Sequence, residues 1–147
     1  MREARLSDLD ALLSLYRTLA GQKRSALPAD REHSLGIIRD IISEPSRHLL
    51  VADVDGELAG TADMLIVPNL THSGMPWAVV ENVIVTERQR RKGVARLLFE
   101  RLIETARAAG CCKLQLISGK HRTGAHGFYR SVGMEAVAEG FKLYYDA

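Results

Sequence analysis

Residues 79–98 constrain this chain more than any other stretch. They read Val-Val-Glu-Asn-Val-Ile-Val-Thr-Glu-Arg-Gln-Arg-Arg-Lys-Gly-Val-Ala-Arg-Leu-Leu. The first part is rich in β-branched residues, as strands are. A basic turn with a single glycine follows. From Val94 onward Leu97, Leu98, Leu102, Ala106 and Ala109 recur at helical spacing, with arginines and glutamates on the other face. Strand, glycine turn and helix in that order bring free backbone N–H groups and the positive end of a helix dipole to one place, an arrangement that holds phosphate.

The rest of the chain supplies elements around that unit. Residues 1–6 read as a short strand. Ser7 offers a helix cap, Asp8 and Asp10 suit a first turn, and Leu9, Leu12, Leu13, Tyr16, Leu19 and Ala20 follow at helical spacing up to Gly21. Residues 21–29 read as a loop. Asp30 can cap a second helix with Leu35, Ile38, Ile41 and Ile42 on its apolar face, closed by Pro45. The period then changes. Residues 49–54 and 57–67 are strands joined by Asp55-Gly56, a two-residue hairpin turn. A loop over 68–76 leads to a strand over 77–85. After the helix that ends at Gly110, residues 112–117 form a strand. Ala125, Phe128, Tyr129 and Val132 mark a last helix, and two short strands over 134–138 and 141–145 close the chain.

This order predicts one α+β domain over residues 1–147: a mixed central sheet flanked by helices, mostly antiparallel. The helical crossover makes the strands at 77–85 and 112–117 its one parallel pair. A chain of 147 residues suits a single core. Its hydrophobic content of 46% and charged content of 26% are those of a soluble globular protein. No apolar run is long enough to cross a membrane and no apolar leader is visible, so the default expectation is cytoplasmic. The two cysteines, Cys111 and Cys112, are adjacent and lack partners at zinc-ligand spacing, so no metal is expected. A net charge of +2 does not call for nucleic acid. The clustering of Arg88, Arg90, Arg91 and Lys92 matters more.

The turn Arg90-Arg91-Lys92-Gly93-Val94-Ala95 is not a P-loop, because no Lys-Ser or Lys-Thr follows its glycine. Nor is it a dinucleotide fingerprint, because Gly93 lacks companion glycines. Gly93 and Ala95 keep side-chain bulk low where backbone must approach a ligand. Read alone, the turn fits either a polyanion site or a solvated basic turn opening an ordinary helix. A nucleic-acid patch fits less well, since no aromatic residues interleave with the charges.

The turn resembles the acetyl-coenzyme A signature of the GNAT superfamily of N-acetyltransferases, R/Q-x-x-G-x-G/A, with Arg90, Gly93 and Ala95 in its defined positions. The similarity extends to Ala125-His-Gly-Phe-Tyr-Arg-Ser-Val-Gly-Met134, which resembles that family's A-x-x-F-Y-x-x-x-G-F segment, and to the order of elements along nearly the whole chain. Met134 replaces a common phenylalanine. Arg122 stands where many members carry asparagine. Lys120, His121 and Arg122, with His126, faintly resemble aminoalkylphosphonate acetyltransferases.

The resemblance implies a site. Acetyl-coenzyme A would lie where the two parallel strands splay apart. Arg90, Arg91, Lys92, Gly93, Val94 and Ala95 would wrap its pyrophosphate, and main-chain groups of Val83, Ile84 and Val85 would meet the pantetheine. Tyr129, in the family's tyrosine position, would be the general acid, since a phenol with a pKa of about 10 keeps its proton at neutral pH. Read without the family, Tyr129 is a core aromatic. Strand alternation places Glu81 on the face of Val83 and Val85, as a base acting directly or through water; a Glu paired with an arginine, or one at the sheet rim, is the competing reading. His72, His121 and His126 are surface histidines on the plainer reading, with His126 in reserve as a base. Arg24, His72 and Trp77 could line the acceptor mouth. The implied acceptor is a primary amine of a small molecule, with no nucleic-acid or membrane partner; many members form homodimers. A protein lysine or N-terminal acetyltransferase, and a coenzyme A-binding sensor without catalysis, are the alternatives.

Overall fold

The computed structural model describes residues 1–19 and 27–145. They form five strands and four α-helices: β1 (Arg2–Glu3), α1 (Leu9–Tyr16), α2 (Arg31–Ser43), β2 (Arg47–Val54), β3 (Glu57–Val67), β4 (Trp77–Val85), α3 (Val94–Ala108), β5 (Leu114–Leu116) and α4 (Thr123–Ser131). The chain divides into two compact units, Met1–Gln115 and Leu116–Ala147. The helix stop at Gly21 and the position of Arg24 lie outside the described residues.

The strands run in the order β1-β2-β3-β4-β5. The first three pairings are antiparallel. β4 and β5 form the parallel pair that the helical crossover requires. In the first unit, β2 explains itself by burial on both sides. Leu49 and Val51 face a core made with Ala4, Leu9, Leu12 and Ile38. Leu50 and Ala52 are equally buried on the opposite side. A strand covered on both faces reads as a continuous apolar run, and Leu49 to Ala52 does. On the side of Leu50, α3 packs across β2, β3 and β4, and it buries Val94, Leu98, Phe99, Leu102 and Ala106.

Local signals set most boundaries. Asp30 caps α2 by accepting a hydrogen bond from the Glu32 N–H at 3.1 Å. Asp55 and Gly56 both have positive φ, 52° and 83°, as the two-residue hairpin needs. Gly60 lies where β3 meets β4 and the start of α3. A Cβ there would come within 2.8 Å of the Ile84 carbonyl oxygen and 3.3 Å of side-chain carbons of Val85 and Val94.

Three expectations need correction. Ser7 is not the cap of α1. It lies inside a 3-10 turn over Leu6–Asp8, and Asp8 takes the cap position. Asp8 does not cap with its side chain; it receives the Arg5 N–H at 2.7 Å and a forked pair of bonds from Arg2. The strand expected over 112–117 shortens to Leu114–Leu116. Residues 134–138 and 141–145 form no strand among the described residues. Their alternation indicates which faces a strand would have, but a strand also needs a partner for its ladder.

Candidate functional site

The first unit holds most of the sequence-derived site. β4 leads through Thr86 into a 3-10 turn over Glu87–Gln89, and α3 begins at Val94. The Arg90 N–H donates to the Glu87 carbonyl at 3.3 Å, and Arg90 Nε donates back to the Val85 carbonyl at 3.3 Å. The turn is thereby tied to the end of β4. Arg88 pairs with Glu57 on the hairpin opposite, at 2.8 Å. Arg91 adopts a left-handed conformation with φ 62°. Gly93 caps α3 in the same region, with φ 84° and ψ 3°. Left-handed backbone is costly for a residue with a Cβ, so its adoption by Arg91, two residues before the left-handed Gly93, marks a built turn rather than a chance one.

The chemistry of this turn suits a polyanion. No side chain caps α3, and its first turn contains no acidic residue. With no side chain seated on its N-cap, the start of α3 turns the positive end of the helix dipole toward an anion. Arg90, Arg91, Lys92 and Gly93 are exposed, while Val94 is buried and anchors the turn to the core. An ideal Cβ on Gly93 would meet no atom within 4 Å, so open space lies over its backbone.

β4 carries the feature that sequence reasoning missed. Asp63 of β3 pairs with Glu81, and Thr61 pairs with Ile84, so between these pairs one residue of β3, Ala62, lies opposite two of β4, Asn82 and Val83. The extra residue is a bulge at Asn82, which has φ 52°. The bulge resets the alternation. Glu81 shares its face with Ile84, Thr61 and Asp63, not with Val83 and Val85 as uniform alternation implied. Val85 lies on the other face, beside Gly60 and Val94. The signal was present: asparagine is a poor strand residue and tolerates left-handed backbone.

Beside Glu81 runs a polar network. Asp63 is buried and binds the Arg47 guanidinium through both oxygens, with Nε to Oδ1 at 2.9 Å. Tyr16 of α1 hydrogen-bonds Thr61, yet burial, aided by the negative charge of Asp63, pushes its phenol up to about 12. Thr61 Oγ1 donates to the Leu50 carbonyl at 2.7 Å. Glu81 itself is exposed. In the loop before β4, Asn69 bonds Thr71, and Thr71 Oγ1 lies 3.1 Å from His72 Nδ1.

Tyr129 belongs to the second unit, on α4. Its ring meets Phe128 edge-on, with centroids 5.7 Å apart. Burial raises its pKa and the positive charge of Arg122 opposes the rise, so the phenol keeps its proton through neutral pH. His121, Arg122 and His126 lie at the start of the same helix, where the His126 N–H donates to the Arg122 carbonyl at 3.1 Å. Among the described residues, no three His, Cys, Asp or Glu side chains are grouped to hold a metal ion. No described helix is long and apolar enough to cross a membrane.

Comparison with known proteins identifies the family of the fold. The model of the acetyltransferase (GNAT) family matches residues 10–134. A solved protein of Agrobacterium tumefaciens assigned as an acetyltransferase is 34% identical, with 97% of each chain covered and a TM-score of 0.89. A transcriptional regulator from Bacillus halodurans is 29% identical, with 98% of this chain and 97% of that one covered, also at a TM-score of 0.89. Among curated relatives, the glucosamine 6-phosphate N-acetyltransferase of Trypanosoma brucei brucei is 31% identical over 88 residues, which are 60% of this chain and 58% of that protein. The match thus spans little more than half the length of that relative. The family model covers most of the chain, and the chain belongs to the GNAT family of acetyltransferases.

Proposed function

We propose that the protein transfers an acetyl group from acetyl-coenzyme A to a primary amine of a small molecule, as a single domain over residues 1–147. The observation that carries this reading is the α3 N-terminus: uncapped, free of acidic residues, opened by a left-handed Gly93 and surrounded by Arg90, Arg91 and Lys92. Those residues fit a pyrophosphate. Val94 and Ala95 continue the cradle into α3. The backbone of Val83, Ile84 and Val85 would hold the pantetheine arm, and the Asn82 bulge supports this by interrupting regular pairing on β4. When bound, acetyl-coenzyme A supplies an activated thioester.

The other steps fall to side chains of this chain. Glu81, directly or through a water, takes the proton from the attacking nitrogen. As the C–N bond forms and the C–S bond breaks, Tyr129 gives its phenolic proton to the leaving sulfur. Its raised pKa supports the acid role. Acetylation of a sugar amine by the trypanosomal relative supports a small acceptor. The reading includes a cytoplasmic protein, with homodimerisation open to it and no membrane or nucleic-acid partner.

Two measurements test the reading. Calorimetric titration with acetyl-coenzyme A should give binding that Gly93→Asp removes; equal affinity for both would refute the cradle. A panel of primary amines should release free thiol from acetyl-coenzyme A, and a panel with no turnover would count against an enzyme of small amines.

A further inference from the structure

β4 has two unlike faces. Ala78 and Val80 are 0% and 1% exposed, beneath the core built with α3. Trp77 and Val79, on the other face, are only half-buried, and Glu81 at their end is exposed. Trp77 pairs with Val67 and Val79 with Leu65. Directly paired residues share a face, so these four make one apolar shelf ending at Glu81. Leu65 is 40% exposed. At the far end, Lys113 Nζ lies 5.1 Å from the centre of the Trp77 ring. The shelf is therefore polar at its two ends and of opposite sign at each: a carboxylate at Glu81, an ammonium at Lys113. Trp77 and Glu81 are four residue steps apart along the strand, about 13 Å.

We propose that this shelf is the acceptor subsite, and that it takes a primary monoamine with an apolar alkyl or aryl body. The inference rests on reading Glu81 as the group that meets the amine. The amine end goes to Glu81, where the charges match. The apolar body lies on Val79, Leu65 and Trp77, where its burial removes exposed hydrocarbon from water. Lys113 rejects a second cation at the distal end, so a diamine of equal length is disfavoured. Of the four shelf side chains only Trp77 carries a hydrogen-bonding group, so an apolar body is better matched to them than the hydroxyl groups of a sugar.

Trp77 is the sole tryptophan of the chain, so its emission reports binding without any turnover. Hexylamine, titrated into the wild-type protein with and without coenzyme A, should change that emission saturably. Diaminohexane and ethanolamine should do so only at much higher concentration. Val79→Lys, which places a cation on the shelf and leaves the reporter in place, should abolish the response. In turnover, kcat/KM for hexylamine should exceed that for diaminohexane by about tenfold or more, and Trp77→Ala should erase most of the difference while Trp77→Phe keeps it. No saturable change with hexylamine, or an undiminished one in Val79→Lys, overturns the proposal. Full activity in Glu81→Gln with the emission response intact would instead refute Glu81 as the base and leave the shelf standing.

Discussion

Asp63 and Glu81 stand opposite each other across β3 and β4, two carboxylates on one face of the sheet. Like charges so placed destabilise a strand pair. Arg47 neutralises the buried member through a forked ion pair, and Glu81 is left exposed. The ion pair lets β3 hold a buried carboxylate directly opposite the exposed Glu81 of β4. Removing one partner leaves a buried charge uncompensated. Arg47→Met should cost about 3 kcal/mol in urea unfolding. Arg47→Met combined with Asp63→Leu should recover most of that loss. Losses that simply add would show that the two side chains do not act as a unit.

The bulge makes a second prediction. Asn82 has φ 52°, which glycine adopts freely and a β-branched residue adopts at high cost. Asn82→Gly should fold and remain active. Asn82→Val should lose roughly 1–2 kcal/mol, because the left-handed conformation is strained for it. Relaxing that strain would restore regular alternation and turn Glu81 away from its face, so activity should fall further than stability does. Equal activity of the Val and Gly variants would detach the bulge from function.

A third prediction concerns acid. Arg2 binds both oxygens of Asp8 at 2.8 and 3.0 Å. That bonding, opposed by burial and helped by the Arg5 N–H, holds the Asp8 carboxyl below its ordinary value of 3.8. A carboxylate with a depressed folded-state pKa stabilises the fold fully above its unfolded value and loses that contribution as pH falls through the folded one. Asp8→Asn should therefore cost about 2 kcal/mol at neutral pH, the range for a hydrogen bond to a charged group. Unfolding measured again below pH 3.8 should show the gap to wild type closing. A gap that stays constant with pH would assign the loss to packing.

Much of this architecture was legible because its signals are local. The Asp55-Gly56 turn fixed the hairpin, and the bounds of β3 and β4 follow from it and from Pro76. Gly93 and the apolar periodicity fixed the start of α3. Asp30 announced α2. What could not be read depends on partners distant in sequence. Arg47 and Asp63 are 16 residues apart, and nothing near either names the other. Asn82 marks an irregular point in β4, but the bulge there is fixed only by the register against β3, so Glu81 was assigned the wrong neighbours on its strand. Ser7 and Asp8 are both good capping residues, yet neither side chain caps α1: Ser7 lies inside the 3-10 turn, and Arg2 with the Arg5 N–H holds the Asp8 carboxylate. The alternation in 141–145 specified faces without specifying a neighbouring strand.

The last prediction separates acid catalysis from packing at Tyr129. Its phenol is raised by burial and moderated by Arg122, and it packs edge-on against Phe128. Tyr129→Phe keeps the ring and removes the proton. If Tyr129 protonates the leaving sulfur, kcat should fall by about a hundredfold or more, the lower range for a general acid, while calorimetric affinity for acetyl-coenzyme A stays unchanged. Because the folded-state pKa is raised, the wild-type phenol stays protonated past its ordinary value of 10.0, and Tyr129 should impose no alkaline loss of kcat below that pH. Arg122→Gln removes the charge that opposes the rise and should move any Tyr129 limb to still higher pH. A Tyr129→Phe protein with full kcat, folded and cofactor-competent, would leave Tyr129 as a packing residue of α4 and reassign the proton to water.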